Sequence, residues 1–237
     1  QIRFHGFNPN NAIVPMESTS GNPCITTDEI LEYVNREKDG LALIFMGGVN
    51  YYTGQVFDMK TITEAGHETG CMVGFDLAHG AGNILLNLHD WNVDFAAWCS
   101  YKYVNGGPGC LSGVFVHENH HEKTKLPRFN GWWGHNKQTR FDMQNSFDSL
   151  TGAEGWQCSN PPIFPLASLR ASMELFHSAG MNQLREKSKQ LTAYLSFLLD
   201  DLPLKIITPY SVEERGCQLS LRFEENGRDI FQKLTQK

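Results

Sequence analysis

The pattern of apolar and polar positions divides the chain into short apolar runs separated by polar, glycine-rich joints. Gln1 to Phe7 alternates apolar and polar residues, with Ile2 and Phe4 on one side, and predicts a strand. Asn8 to Pro23, rich in Asn, Pro, Ser and Gly, reads as a loop. Thr26-Thr27-Asp28-Glu29 has the form of a capping box. A helix is expected to follow it, with Ile30, Leu31 and Val34 inward and an end near Gly40. Leu41 to Phe45 is a continuous apolar run of the kind that parallel strands show when both faces are buried. A helix over Asp58 to Thr69, a strand over Cys71 to Phe75, a helix over Gly80 to Leu88 and a strand over Val93 to Trp98 follow in turn. Leu111 to His117 reads as a further strand and Glu118 to Arg128 as an exposed polar stretch.

Phe129 to Ser159 is loop-rich and carries Trp132, Trp133 and Trp156. The spacing of Leu166, Leu169, Met173 and Phe176 predicts a helix over Pro165 to His177, and a long amphipathic helix runs from Gly180 to Leu199. Leu204 to Ile207 and Gln218 to Phe223 read as strands, and Asp229 onward as a helix. Strands alternating with helices imply an α/β domain, a mostly parallel sheet with helices on both faces, over residues 1–183. Residues 184–237 form part of a smaller α+β unit.

In such sheets ligands sit beyond the carboxyl ends of the strands. Asn50-Tyr51-Tyr52, Asp76 to His79 and Tyr101-Lys102 all fall at such ends. Lys102 follows an apolar run and precedes a Gly-rich turn, Asn105 to Gly109. A strand-end lysine can simply extend its head to water. In a dry pocket it loses its proton more easily and becomes an amine nucleophile, the usual reason being Schiff-base chemistry. Asp76 can be a helix cap or the partner of a protonated ring nitrogen. A lysine and a strand-end aspartate together suit pyridoxal phosphate, one holding the aldehyde and the other keeping the pyridine nitrogen protonated.

Composition narrows the class. The net charge of −6 argues against a nucleic-acid surface. No apolar stretch approaches the roughly 20 residues that span a bilayer, and no secretory signal opens the chain. Six cysteines without a CxxC pair, with Cys71, Cys99, Cys110 and Cys217 in or beside apolar runs, suit reduced thiols in a cytoplasmic protein. The chain opens on Gln1 and closes within an uncapped amphipathic pattern, so it reads as a piece of a longer protein. His117-Glu118-Asn119-His120-His121 lacks clear metal-ligand geometry and reads as a solvated loop; no metal is expected.

Blocks in fixed order carry a closer likeness. Phe75-Asp76-Leu77-Ala78-His79, His89-Asp90-Trp91, Trp98-Cys99-Ser100-Tyr101-Lys102-Tyr103, Gly131-Trp132-Trp133-Gly134-His135, Ser159-Asn160-Pro161-Pro162-Ile163 and Val212 to Leu219 together resemble kynureninase, a fold-type I pyridoxal phosphate enzyme, over nearly the whole chain. The resemblance implies that Lys102 carries the cofactor aldehyde, that Asp76 faces the pyridine nitrogen and that His79 lies beside it. It implies that Tyr101 reaches the cofactor phosphate and takes part in proton transfer. It also implies that Trp132 and Asn160 reach cofactor phosphate and substrate from the neighbouring subunit of a homodimer. Ser159-Asn160 resembles the pair that favours 3-hydroxykynurenine. The implied reaction is hydrolysis of the Cβ–Cγ bond of L-kynurenine or 3-hydroxy-L-kynurenine, in tryptophan catabolism and NAD biosynthesis. Gly47 stands where the family has a phosphate-binding serine, and the family's ring-stacking segment and carboxylate-binding arginine would lie before Gln1 and after Lys237. The competing expectations are another fold-type I lyase, such as a cysteine desulfurase-like protein, and a truncated or decayed paralogue without turnover.

Overall fold

A computed structural model describes residues 2–19, 21–121 and 126–236. The first helix of substance, α2 (Thr27–Glu37), begins at the capping box read from sequence; a single turn, α1 (Pro9–Ala12), precedes it. Thr26 Oγ1 accepts the Glu29 N–H at 3.1 Å, and the Glu29 carboxylate accepts the Thr26 N–H at 2.8 Å. The Thr26 amide, with the Thr19 hydroxyl and amide, holds the Glu29 carboxyl down to about 2. Thr26→Ala is expected to lower stability by about 1 kcal/mol, the usual cost of an N-cap, as read from the urea midpoint at unchanged slope. Ile30 and Val34 are buried and Leu31 partly so.

The main sheet runs β1 (Leu43–Gly47), β2 (Met72–Asp76), β3 (Phe95–Cys99), β4 (Ser112–Val116), in that order across it. The first three strands are parallel and β4 is antiparallel. Helix α3 (Met59–Glu68), capped by Asp58, carries the chain from β1 to β2. Ile44, Val73, Phe75 and Ala96 face one side and join Ile30, Val34, Ile62, Leu77 and Val93 in the core under α2 and α3.

The other side of the sheet corrects the expectation of helices on both faces. Leu43 is 47% exposed, Phe45 54% and Val114 47%, while Phe45 stacks on Phe95 at 5.8 Å. Among the described residues only one face of the sheet is covered, so strands written with apolar residues on both sides are buried on one. The expected strand over residues 1–7 begins on Gln1, outside the described residues, and residues 2–6 form turns instead, with Gly6 at φ +85°. The expected helix over 80–88 is also absent. Residues 78–83 make successive turns, because Gly82 takes φ +79° and packs backbone to backbone against Tyr103, where a Cβ would lie 2.8 Å from the carbonyl.

The stretch after β4 is not simply solvated. His117 and His120 are buried, and His120 meets the buried Asp94 carboxylate at 2.5 Å. His67 reaches the same carboxylate at 2.9 Å and the Val73 N–H donates to it at 2.7 Å. Residues 122–125 of the expected polar stretch lie outside the described residues. Helices α4 (Ile163–Ala179) and α5 (Met181–Leu199) follow, with α5 running unbroken through residue 184. The stripe expected to bury α4 is largely open, with Met173 51% exposed, and its one buried residue is Ser172. Strands β5 (Lys205–Ile206) and β6 (Leu221–Arg222) form a separate antiparallel pair, and α6 (Gly227–Thr235) ends the described chain. Cys217, expected among buried thiols, is exposed, and Cys99 is half-buried. No helix among the described residues is long and apolar enough to cross a membrane.

Candidate functional site

The carboxyl ends of β1, β2 and β3 bring Gly47, Asp76 and Ala97 side by side in register on the open face of the sheet. Only the middle one bears a functional side chain. Asp76 Oδ1 accepts the Ala78 N–H at 2.8 Å, which fixes the carboxylate at the start of the turn while the exposed group keeps acceptor capacity for an outside donor. A Cβ at Gly47 would come within 3.3 Å of the Val49 carbonyl, a tight but not blocked position for the serine expected there.

His79 projects from the turn after β2 and Lys102 from the loop after β3. Their Nε2 and Nζ atoms are 3.1 Å apart. Burial lowers the His79 pKa, the Lys102 charge lowers it further and Asp76 opposes both. A neutral imidazole accepts from the lysine at Nε2, which puts the ring proton on Nδ1. That nitrogen is buried and has no partner among the described residues. Tyr51 and Tyr103 flank the ring at 6.4 and 5.7 Å between centroids. His79, Gly82, Lys102, Tyr103, Asn105, Phe176 and Leu184 line a cavity of about 540 Å³.

The Lys102 loop is held by groups that sequence reading missed. Asn105 sits at φ +56° and its N–H donates to the Lys102 carbonyl at 2.9 Å. Ser172 donates to the Val104 carbonyl and Ser168 to the Gly106 carbonyl, each at 2.5 Å. The two serines are four residues apart on α4 and so share a face, and that spacing is the signal that could have revealed them. Tyr51, on the loop after β1, was noted as a strand-end residue but not as a neighbour of His79.

The other expected site residues lie apart. Tyr101 is 54% exposed and outside the lining of the Lys102 cavity; Cys99 beside its hydroxyl raises its pKa above the ordinary phenol value. Trp132 lines a different groove of about 560 Å³ with His135 and Arg140, and its indole N–H donates to the Arg140 carbonyl at 2.8 Å. Ser159 donates to Asn160 at 3.2 Å, both residues being exposed and outside the Lys102 cavity. Within one chain the structure thus joins Asp76, His79 and Lys102 at the strand ends, and leaves Trp132, Ser159 and Asn160 elsewhere.

This donor set fits a flat aromatic aldehyde with a protonated ring nitrogen. The amine next to a neutral imidazole, the carboxylate between two small strand-end residues, and the buried ring nitrogen without a partner among the described residues all sit beyond the carboxyl ends of β2 and β3.

The kynureninase of Myxococcus xanthus (strain DK1622) is 56% identical over 237 residues, covering 99% of this chain and 56% of that protein. The chain therefore spans little more than half the length of that curated relative. Among solved structures, a cysteine desulfurase from Thermococcus onnurineus NA1 superposes with a TM-score of 0.72 at 17% identity, over 92% of this chain and 52% of that one. A C-DES variant with glycine covalently linked to its PLP cofactor gives 0.72 at 19% identity, over 90% and 55%. These two likenesses establish a shared fold, a fold-type I architecture in which the sheet is mostly parallel. A family model described as aminotransferase class-V matches residues 12–236, and the chain belongs to that family.

Proposed function

We propose that this chain forms the central part of a pyridoxal phosphate-dependent kynureninase. The observation that carries the reading is the Lys102–His79 contact at 3.1 Å beside the strand-end carboxylate of Asp76. The extent of kynureninase likeness, 56% identity across nearly the whole chain, supports it over the desulfurase alternative, where 17% identity speaks only for the fold.

Lys102 provides the amine for the cofactor aldehyde, and Asp76 keeps a proton on the pyridine nitrogen. When bound, pyridoxal phosphate supplies an electron sink for negative charge generated on the substrate. With the cofactor held by Lys102 and Asp76, Lys102 Nζ would take the substrate α-proton, and the neutral His79 ring would accept a hydrogen bond from that nitrogen. The Tyr101 phenol, raised by Cys99, stays protonated and serves as a donor. A water activated by a general base adds to the γ-carbonyl, the Cβ–Cγ bond breaks, and the β-carbon takes a proton. L-Kynurenine plus water thus gives anthranilate and L-alanine; the 3-hydroxy substrate gives 3-hydroxyanthranilate. Trp132, Ser159 and Asn160 act from the neighbouring subunit of a homodimer, a role consistent with their exposed positions away from Lys102. The large domain ends near residue 183 and the remainder belongs to the small one, in a cytoplasmic protein.

Incubation of the purified protein with pyridoxal phosphate and L-kynurenine tests this directly. Equimolar anthranilate and alanine are expected, and sulfur release from cysteine in their place would sink the reading. Asp76→Asn should keep the fold, because the side chain still accepts from Ala78, yet slow product release by about 100-fold, as expected when one preorganised charge is removed.

A further inference from the structure

Asn83 joins two distant parts of the chain. Its side-chain nitrogen donates to the His79 carbonyl at 2.9 Å, and its oxygen accepts the Cys217 N–H at 2.9 Å. The residue is 5% exposed, and both ends of its amide are satisfied by backbone. The approach is close: a Cβ at Gly216 would stand 2.3 Å from Asn83 Nδ2, so only glycine fits there without displacement. The same C-terminal segment then grips the other loop at the site. Gln218 donates to the Tyr51 carbonyl at 2.9 Å, and the Ser220 hydroxyl donates to the Tyr52 carbonyl at 2.5 Å. Residues 216–220 therefore hold both loops whose rings, Tyr51 and His79, face each other beside Lys102.

A buried asparagine bonded only to backbone can be a purely structural group. What sets Asn83 apart is which carbonyl it holds. His79 is the residue whose Nε2 lies 3.1 Å from Lys102 Nζ, and its turn is made of consecutive tight bends rather than a helix that would fix itself. We propose that Asn83 is a positioning residue that registers the His79 turn against residues 216–220, so that the His79–Lys102 pair is set from the C-terminal part of the chain. This rests on Lys102 being the reactive amine and extends that reading to a control over its surroundings.

The test compares Asn83→Leu and Asn83→Asp with wild type by two readouts. The first is the titration of the His79 ring-proton resonance in cofactor-free protein, assigned with His79→Gln. The second is pyridoxal phosphate affinity from absorbance. The titratable groups facing His79 are Lys102, Asp76, Tyr51 and Tyr103, and Asn83→Leu alters none of them, whereas Asn83→Asp adds a carboxyl near His79 and is therefore read by cofactor affinity across pH. Asn83→Leu should weaken cofactor binding by about tenfold, the size expected for one or two buried hydrogen bonds, and move the His79 titration upward toward the ordinary imidazole value. Asn83→Asp keeps the acceptor for Cys217 but sets an anion against the His79 carbonyl. It should show the same defect at neutral pH and recover as acid protonates the new carboxyl and restores a donor. If Asn83→Leu keeps the wild-type His79 titration and both variants keep the wild-type cofactor affinity while only the melting temperature falls, Asn83 is structural and the proposal is wrong. Should Asn83→Leu fail to fold, the isosteric Asn83→Asp decides. Absence of any pyridoxal phosphate adduct in wild type would defeat the cofactor reading, whereas the His79 titration in cofactor-free protein would still test Asn83.

Discussion

Lys102→Ala is expected to abolish the near-visible absorbance that the wild-type protein gains on addition of pyridoxal phosphate, and to bring release of anthranilate to background. The effect is complete rather than partial because covalent attachment needs a neutral amine at one place, and Lys102 Nζ is the amine that the fold delivers beside His79. Lys102→Arg sharpens the comparison. A guanidinium keeps the charge and much of the bulk but is not a usable nucleophile, since it stays protonated. It should preserve folding and noncovalent affinity for the anionic cofactor while the adduct band stays absent. An unchanged band in either variant would show that another amine carries the cofactor, and the assignment of Lys102 would fall.

How far this could be read from the amino acids depends on the range of the interaction. The capping box at Thr26 to Glu29 acts within one helical turn, and the structure forms it as read. Asp76 and Lys102 were legible because the ends of buried runs are visible in sequence and strand-end geometry gives them meaning. The apolar spacing over Gly80 to Leu88 predicts a helix that does not form, because the factor that decides it, the contact of Gly82 with the Tyr103 backbone, lies across the fold. The same holds for Asn83, whose partner Cys217 is far along the chain. The apolar pattern of β1 and β2 signals cover on both faces, and its inner residues, Ile44, Val73 and Phe75, are buried while Leu43 and Phe45 are open. Pattern reports what a surface is suited to contact and not which partner is present. Trp132 and Asn160 were singled out by resemblance alone. The structure leaves both exposed and outside the Lys102 cavity, a placement that no local pattern encodes.

His120 shows the opposite case, where a residue expected in a solvated loop is buried against the Asp94 carboxylate. Asp94 is 7% exposed and accepts from Val73 N–H, with His67 and His120 on its two oxygens. Asp94→Ala would remove the acceptor of the buried Val73 amide and the contacts that the His67 and His120 rings make with that carboxylate, at a cost of about 3 kcal/mol, since a buried donor that loses its acceptor costs about 1–3 kcal/mol. A lower urea midpoint measures it; a change below about 0.5 kcal/mol, the range of ordinary surface substitutions, would rule out this role. The pH dependence gives an independent check. Burial pushes the Asp94 carboxyl upward, but the bonds from His67, Val73 and His120 outweigh it and hold its pKa below the ordinary value. A carboxyl depressed on folding contributes stability that is fully present above its unfolded pKa, about 3.9, and is lost as pH falls through the folded value. Wild type should therefore lose stability below about pH 4 more steeply than Asp94→Ala, and the gap between the two should narrow with acid. Because His67 sits on α3, Val73 on β2 and His120 just past β4, one carboxylate ties three elements of the sheet layer at the end opposite Lys102. Its removal should lower the stability of the layer without displacing the His79–Lys102 pair, so that at low temperature, while the protein remains folded, cofactor affinity stays at the wild-type level as its resistance to urea falls.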